Sequence, residues 1–145
     1  MYIFQIPIKP LSINASLASF NGRMIKTAKH RAYCAELNAY LCEHKDVFLQ
    51  LKTEHLRRDC AVKVTYYVYM PKDEYYAKTG KVNKKRMDAA NMEKNLTDCL
   101  MKAVGIDDVY CNPAPSVIVI PKDKWMVVIS IELCNHPTHE DYSGI

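Results

Sequence analysis

No apolar run in these 145 residues approaches the roughly 20 needed to cross a membrane, so no membrane span is expected. The opening stretch, Met1 to Pro10, lacks a basic leader, a long apolar centre and a small-residue cleavage site, and it does not read as a signal peptide. The six cysteines form no Cys-x-x-Cys pair and no Cys/His cluster with zinc spacing, which argues against a zinc module. Without a secretory signal they read as reduced thiols, with Cys34 and Cys99 on apolar helix positions. No internal repeat and no linker divides the chain. At 49% hydrophobic and 25% charged, the composition excludes disorder, collagen-like repeats and coiled coil. What is left is one soluble domain over residues 1–145, with 134–145 as a polar tail.

The net charge is only +4, but it is concentrated. Lys72, Lys78, Lys81, Lys84, Lys85 and Arg86 face only Asp73 and Glu74 within residues 72–86, so this segment alone equals the whole chain's excess. By itself such a segment reads as a solvated loop. Beside an acidic site it would hold a polyanion. Tyr75 and Tyr76 within it are candidates for stacking on bases, whereas Tyr66 to Tyr69 read as half-buried strand residues.

Residues 2–8 read as a strand and 9–23 as a loop. A helix is expected from a Thr27 cap to about His44, with Val47 to Leu51 extending it. A β-branched and aromatic strand over 60–70 closes at Pro71. Apolar residues recur at steps of three and four from Ala89 to Ala103, giving an amphipathic helix that stops at Gly105. Residues 116–120 and 125–133 read as a hairpin. The order predicts a two-layer α+β domain, its mixed or antiparallel sheet covered by helices on one face.

The polar side of the 88–103 helix carries Asp88, Asn91, Lys94, Asn95 and Asp98, and Asp107-Asp108 follow Gly105. Carboxylates are the hard ligands Mg²⁺ or Mn²⁺ prefers, and a lysine among them can neutralise charge at a reacting phosphate. The helix is about 24 Å long, so Asp107 and Asp108 reach Asp88 only if the chain runs back along it. On spacing alone an ordinary solvated helix face, capped by Asp88, is the commoner reading.

The run Arg86-Met-Asp88-Ala-Ala-Asn91-Met-Glu-Lys94-Asn-Leu-Thr-Asp98-Cys-Leu100, followed by Gly105-Ile-Asp107-Asp108, resembles the RusA-type Holliday junction resolvases. Their pattern is Asp-x-Asp-Asn-x-x-Lys-x-x-x-Asp-x-Leu with a downstream Asp-Asp pair. Pro10-Leu-Ser12-Ile-Asn14 is similar to the family's Pro-Pro-Ser-x-Asn segment, and Gly22-Arg23 and Ala32-Tyr33 fit the approach to its first helix. The resemblance implies a small homodimeric endonuclease that makes paired nicks in four-way DNA junctions with Mg²⁺, Mn²⁺ being the alternative. By position it makes Asp88, Lys94 and Asp108 catalytic and Asp88, Asp107 and Asp108 metal ligands. Asn91 and Asn14 support them, Asp98 is structural, and the six cations of 72–86 bind DNA. It also implies the cytoplasm of a bacterium or phage-infected cell. Ala90 departs from the pattern, standing where the family has its second aspartate. Three explanations stay open there: a metal held by Asp88, Asp107 and Asp108, a chain that binds junctions without cutting them, and an alanine introduced to trap an inactive protein. Beside the nuclease reading stand a non-catalytic branched-DNA or RNA binding protein and an interaction module that docks a protein partner through its charged loop.

Overall fold

Alternation along Tyr2–Ile6 forms strand β1, whose Phe4 and Ile6 enter the core. The computed structural model describes residues 1–86 and 88–145. After a 3-10 turn at Ile13–Ala15, the expected loop instead contains a two-stranded ribbon, β2 (Leu17–Phe20) and β3 (Arg23–Lys26). Its turn is Asn21-Gly22, both with positive φ (49° and 75°). That is the geometry a two-residue hairpin turn demands, and Asn-Gly supplies it.

Thr27 caps helix α1 (Ala28–Cys42) by accepting a hydrogen bond from the His30 amide. The expected extension is a separate helix, α2 (Lys45–Arg58). The break lies at Glu43-His44, where the amides bond back to Tyr40 and Leu41 in a tightened turn. The cause is tertiary: the His44 ring packs 4.2 Å from that of Phe4, and its Nδ1 pairs with the Tyr2 hydroxyl. β1 therefore pulls the chain out of the helical path.

Strand β4 (Ala61–Pro71) sends Val62, Val64, Tyr66, Val68 and Met70 inward and Lys63, Thr65, Tyr67 and Tyr69 outward. Tyr66 is wholly buried, a correction to its reading as half-buried. A short helix α3 (Lys72–Tyr75) follows, then the basic loop and helix α4 (Ala89–Val104). The last strands are β5 (Ser116–Lys122) and β6 (Met126–Cys134). They do not form the expected hairpin. The sheet order is β1-β6-β4-β5, with β5 parallel to β4 and β6 antiparallel on its other side. Tyr69 thus lies between Ile120 and Met126, and residues 123–125 cross over the end of β4. The parallel pair is possible because α4 supplies the crossover. Helices α1, α2 and α4 contribute Leu37, Phe48, Leu96 and Leu100 to the core on one sheet face. The α+β, two-layer expectation is met.

Among the described residues no helix is long and apolar enough to cross a membrane. One buried titratable group sets a pH limit. The His30 pKa is lowered by burial and then by Lys26 and Arg31, with Asp98 opposing them. The unfolded chain protonates this ring near 6.5, so unfolding takes up a proton below that pH. Stability is present above that value and lost as pH falls, by no more than about 1.4 kcal/mol per pH unit for one group. Thermal melts at pH 7.5 and 5.5 check this, and His30→Gln is expected to flatten the difference.

Candidate functional site

Helix α4 buries Met92, Leu96, Leu100 and Val104 on one stripe and leaves Asp88, Lys94 and Asp98 in solvent. Asp88 is the N-cap, its Oδ1 accepting from the Asn91 amide at 3.0 Å. A carboxylate there is favoured by the unpaired amides of the first turn. Lys94 Nζ lies 3.3 Å from Asp98 Oδ1, one turn further on. Asp98 therefore tethers the lysine rather than standing apart from it.

Gly105 turns the chain in the left-handed conformation (φ 80°), which glycine adopts without strain. Asp107 then caps the next 3-10 turn, accepting from the Val109 amide at 2.9 Å. Asp107 and Asp108 line an open groove with Asp98, Lys26 and Lys102. This is the C-terminal end of α4, whereas Asp88 stands at its start. The ten-residue step from Asp88 to Asp98 corresponds to about 15 Å of helix rise. The three expected metal ligands, Asp88, Asp107 and Asp108, are therefore not brought together in one chain. Among the described residues no group of three His, Cys, Asp or Glu side chains is placed to hold a metal ion.

The chain does run back along the helix, as the expectation required, but with other residues. Cys111 bridges to Val62 and its thiol feels both Asp108 and Glu93. Pro115 and Val117 reach the helix start, where they form a hollow with Ala89, Ala90 and Glu93. The exposed Ala90 opens on the hollow, so the missing carboxylate leaves a gap there rather than a filled contact. Glu93, which the sequence reading passed over, shares this hollow. Its Oε1 accepts from the Thr97 hydroxyl at 2.7 Å, and Thr97 meets the Tyr66 hydroxyl at 2.9 Å. The available signal was its spacing, three residues after Ala90 on the same side of α4.

Two thiols at this helix are held protonated. Burial pushes Cys99 up to about 12, helped by its 3.5 Å contact with Cys34, and burial with Asp108 and Glu93 pushes Cys111 to about 11. Alkylation by iodoacetamide at pH 8 is expected to reach the exposed Cys42 well before either, as peptide mass mapping would show.

A second anchor is Asn95, which is 3% exposed. Its amide donates to the Leu11 carbonyl at 3.0 Å and to Ser16 Oγ at 2.6 Å, and Ser16 Oγ in turn donates to the Ser12 carbonyl. This ties the segment around Ser12 and Asn14 to α4. Asn14 itself is exposed, its amide bonding to Ser12 Oγ. Asn91, half-buried, serves Asp88 through its backbone.

The basic segment is folded rather than loose. Tyr76 bridges to Val82, the Ala77 amide bonds to the Lys81 carbonyl, and Asn83 bonds back to Tyr75 and Glu74. Lys72, Lys78, Lys81, Lys84 and Lys85 are exposed, and Arg86 lies 4.5 Å over the Tyr75 ring. Lys85 and Arg86 line a cleft with Lys9, Trp125 and the acidic Asp73 and Glu74. This loop leads directly to Asp88.

A family model for endodeoxyribonuclease RusA matches residues 7–113. The chain belongs to the RusA family. The match takes in the Ser12–Asn14 segment, the ribbon, the basic loop, α4 and the Asp107-Asp108 pair. No curated protein matches the chain. A RusA domain is thus endodeoxyribonuclease in kind, and this one departs from the pattern at Ala90 on the rim of its helix-start hollow.

Proposed function

We propose that this chain is an endodeoxyribonuclease of branched DNA, making paired nicks in four-way junctions as a homodimer. The observation that carries the reading is the RusA match over a segment in which a folded basic loop delivers the chain to Asp88 at the start of α4. Lys72, Lys78, Lys81, Lys84, Lys85 and Arg86 attract the phosphate backbone. Lys94, oriented by Asp98, offers its ammonium to a backbone phosphate, while Asp88 and Asp108 are the proposed catalytic carboxylates. Mg²⁺ or Mn²⁺ is the cofactor the family reading calls for. As arranged in one chain, the residues at hand do not fit it, since Asp88 stands apart from the Asp107-Asp108 pair.

The dimer is supported by the sheet face that, among the described residues, no helix covers. Tyr67, Ile118 and Val128 form one apolar row across it, and Tyr69, Ile120 and Met126 the next. Ile118→Asp is expected to convert a dimer into a monomer, which light scattering would read. An unchanged mass would move the subunit contact elsewhere.

A second reading, binding branched DNA without cutting it, is favoured by Ala90 and by the separation of the carboxylates. Incubating the chain with a synthetic four-way junction and Mg²⁺ or Mn²⁺ separates the two. Symmetric nicks on a denaturing gel support the first. Tight binding with intact strands under both metals overturns it.

A further inference from the structure

Every residue of the β2–β3 ribbon is exposed. Four of its eight residues are large and apolar, with Phe20 62%, Met24 64%, Ile25 44% and Leu17 41% exposed. The register sets Phe20 against Arg23, Ser19 against Met24, Ala18 against Ile25, and Leu17 against Lys26. Opposed residues share a face and successive ones alternate. One face therefore carries Phe20, Ile25 and Arg23, and the other Leu17, Met24 and Lys26. Each has two large apolar side chains and one cation, and residues 16–27 contain no acid.

An isolated two-stranded ribbon is marginal in water, so this one needs support. At its root the Thr27 amide bonds to the Ser16 carbonyl at 2.9 Å and the Thr27 hydroxyl to the Ala15 carbonyl at 2.7 Å. Beyond the root both faces are bare. A flat protein partner would cover only one. Pairing two ribbons edge to edge would bring their cations together with no acid to match them. A duplex groove presents two walls, with phosphates along both rims, sugars beneath them, and a floor of base edges whose hydrogen-bonding groups are interspersed with thymine methyls. The major groove, about 12 Å wide, admits a two-stranded ribbon.

We infer that the β2–β3 ribbon inserts into a groove of a duplex DNA arm, its apolar side chains against the groove walls and Arg23 and Lys26 toward the phosphates. The inference rests on the DNA reading above and goes beyond it by naming a reading element. Its root also places the arm, because Lys26 lines the groove that holds Asp98, Asp107 and Asp108. An inserted ribbon brings the backbone of that arm to the C-terminal end of α4.

The test is anisotropy of labelled linear duplex and four-way junction, titrated over a salt series with the full chain. Phe20→Ser combined with Met24→Ser is expected to weaken binding to both by roughly tenfold or more with the salt slope unchanged. Arg23→Ala is expected to reduce the slope by about 1, one phosphate contact. Melting temperature and solution mass should hold, since none of these side chains enters the core. Unchanged affinity in the double variant overturns the ribbon's role while the DNA reading stands. A loss of affinity together with a fall in mass also overturns it, making the ribbon a subunit contact. A parent chain that binds neither DNA overturns both.

Discussion

Junction cleavage is expected to fall on Asp88→Asn and to rise by roughly tenfold or more on Ala90→Asp, which sets a second carboxylate beside the Asp88 cap and supplies at the start of α4 the metal partner that the natural chain lacks there. The pair is informative because neither change should disturb the fold. Asparagine caps a helix as well as aspartate does, so the bond from the Asn91 amide survives while the charge is lost. Ala90 is exposed at the first turn of α4, which holds no acid, so an aspartate there should add about 0.3–1 kcal/mol through the helix dipole. A readout independent of cleavage is the melting temperature in Mn²⁺. Ala90→Asp should gain more from the metal than the parent does, since a ligand that binds only the folded state stabilises it. Strong cleavage by Ala90→Asp beside a silent parent would show that the natural chain binds junctions without cutting them.

Asn95→Ala is expected to cost about 2–3 kcal/mol, since it deletes two hydrogen bonds and strands buried acceptors. For a chain of this size that corresponds to a drop of about 5–10 °C in melting temperature. The Leu11 carbonyl and Ser16 Oγ lose their partner, and with them goes the tie between α4 and the segment leading into the ribbon. DNA affinity should therefore fall along with stability, unlike a surface substitution such as Arg23→Ala. A melt within a degree of the parent would show that water replaces the amide and that the tie is dispensable.

Local patterns were readable where local physics decides. The three- and four-residue spacing from Ala89 to Ala103, the Asp88 cap and the Gly105 stop all place α4 within a residue. The alternation in β4 is equally plain. The misreadings have distant causes. His44 leaves the helix because of Tyr2 and Phe4, some forty positions earlier. β5 and β6 part because β4 fits between them, which no spacing around Pro121 reports. The ribbon did carry a local signal in Asn21-Gly22, masked by the surrounding loop-like composition. At the site, the helix length made a return along α4 the condition for Asp107 and Asp108 to meet Asp88. Which residues of the returning segment reach the helix start depends on the Cys111 bridge to Val62 and the register of β5 on β4. Glu93 was hidden because it matches no element of the family pattern.

The sheet order joins β1 to β6 across most of the fold. Among the described residues β1 has β6 as its only neighbour in the four-stranded sheet, so β1 is secured by β6. About 120 residues separate them, which at ribosomal speed is on the order of ten seconds during which β1 has nowhere to pair. Chains cut short before Met126 would release both strands, leaving Phe4 and Ile6 without the wall they pack behind. A truncation of this kind would act as two lesions, one at β6 and one about 120 residues earlier at β1.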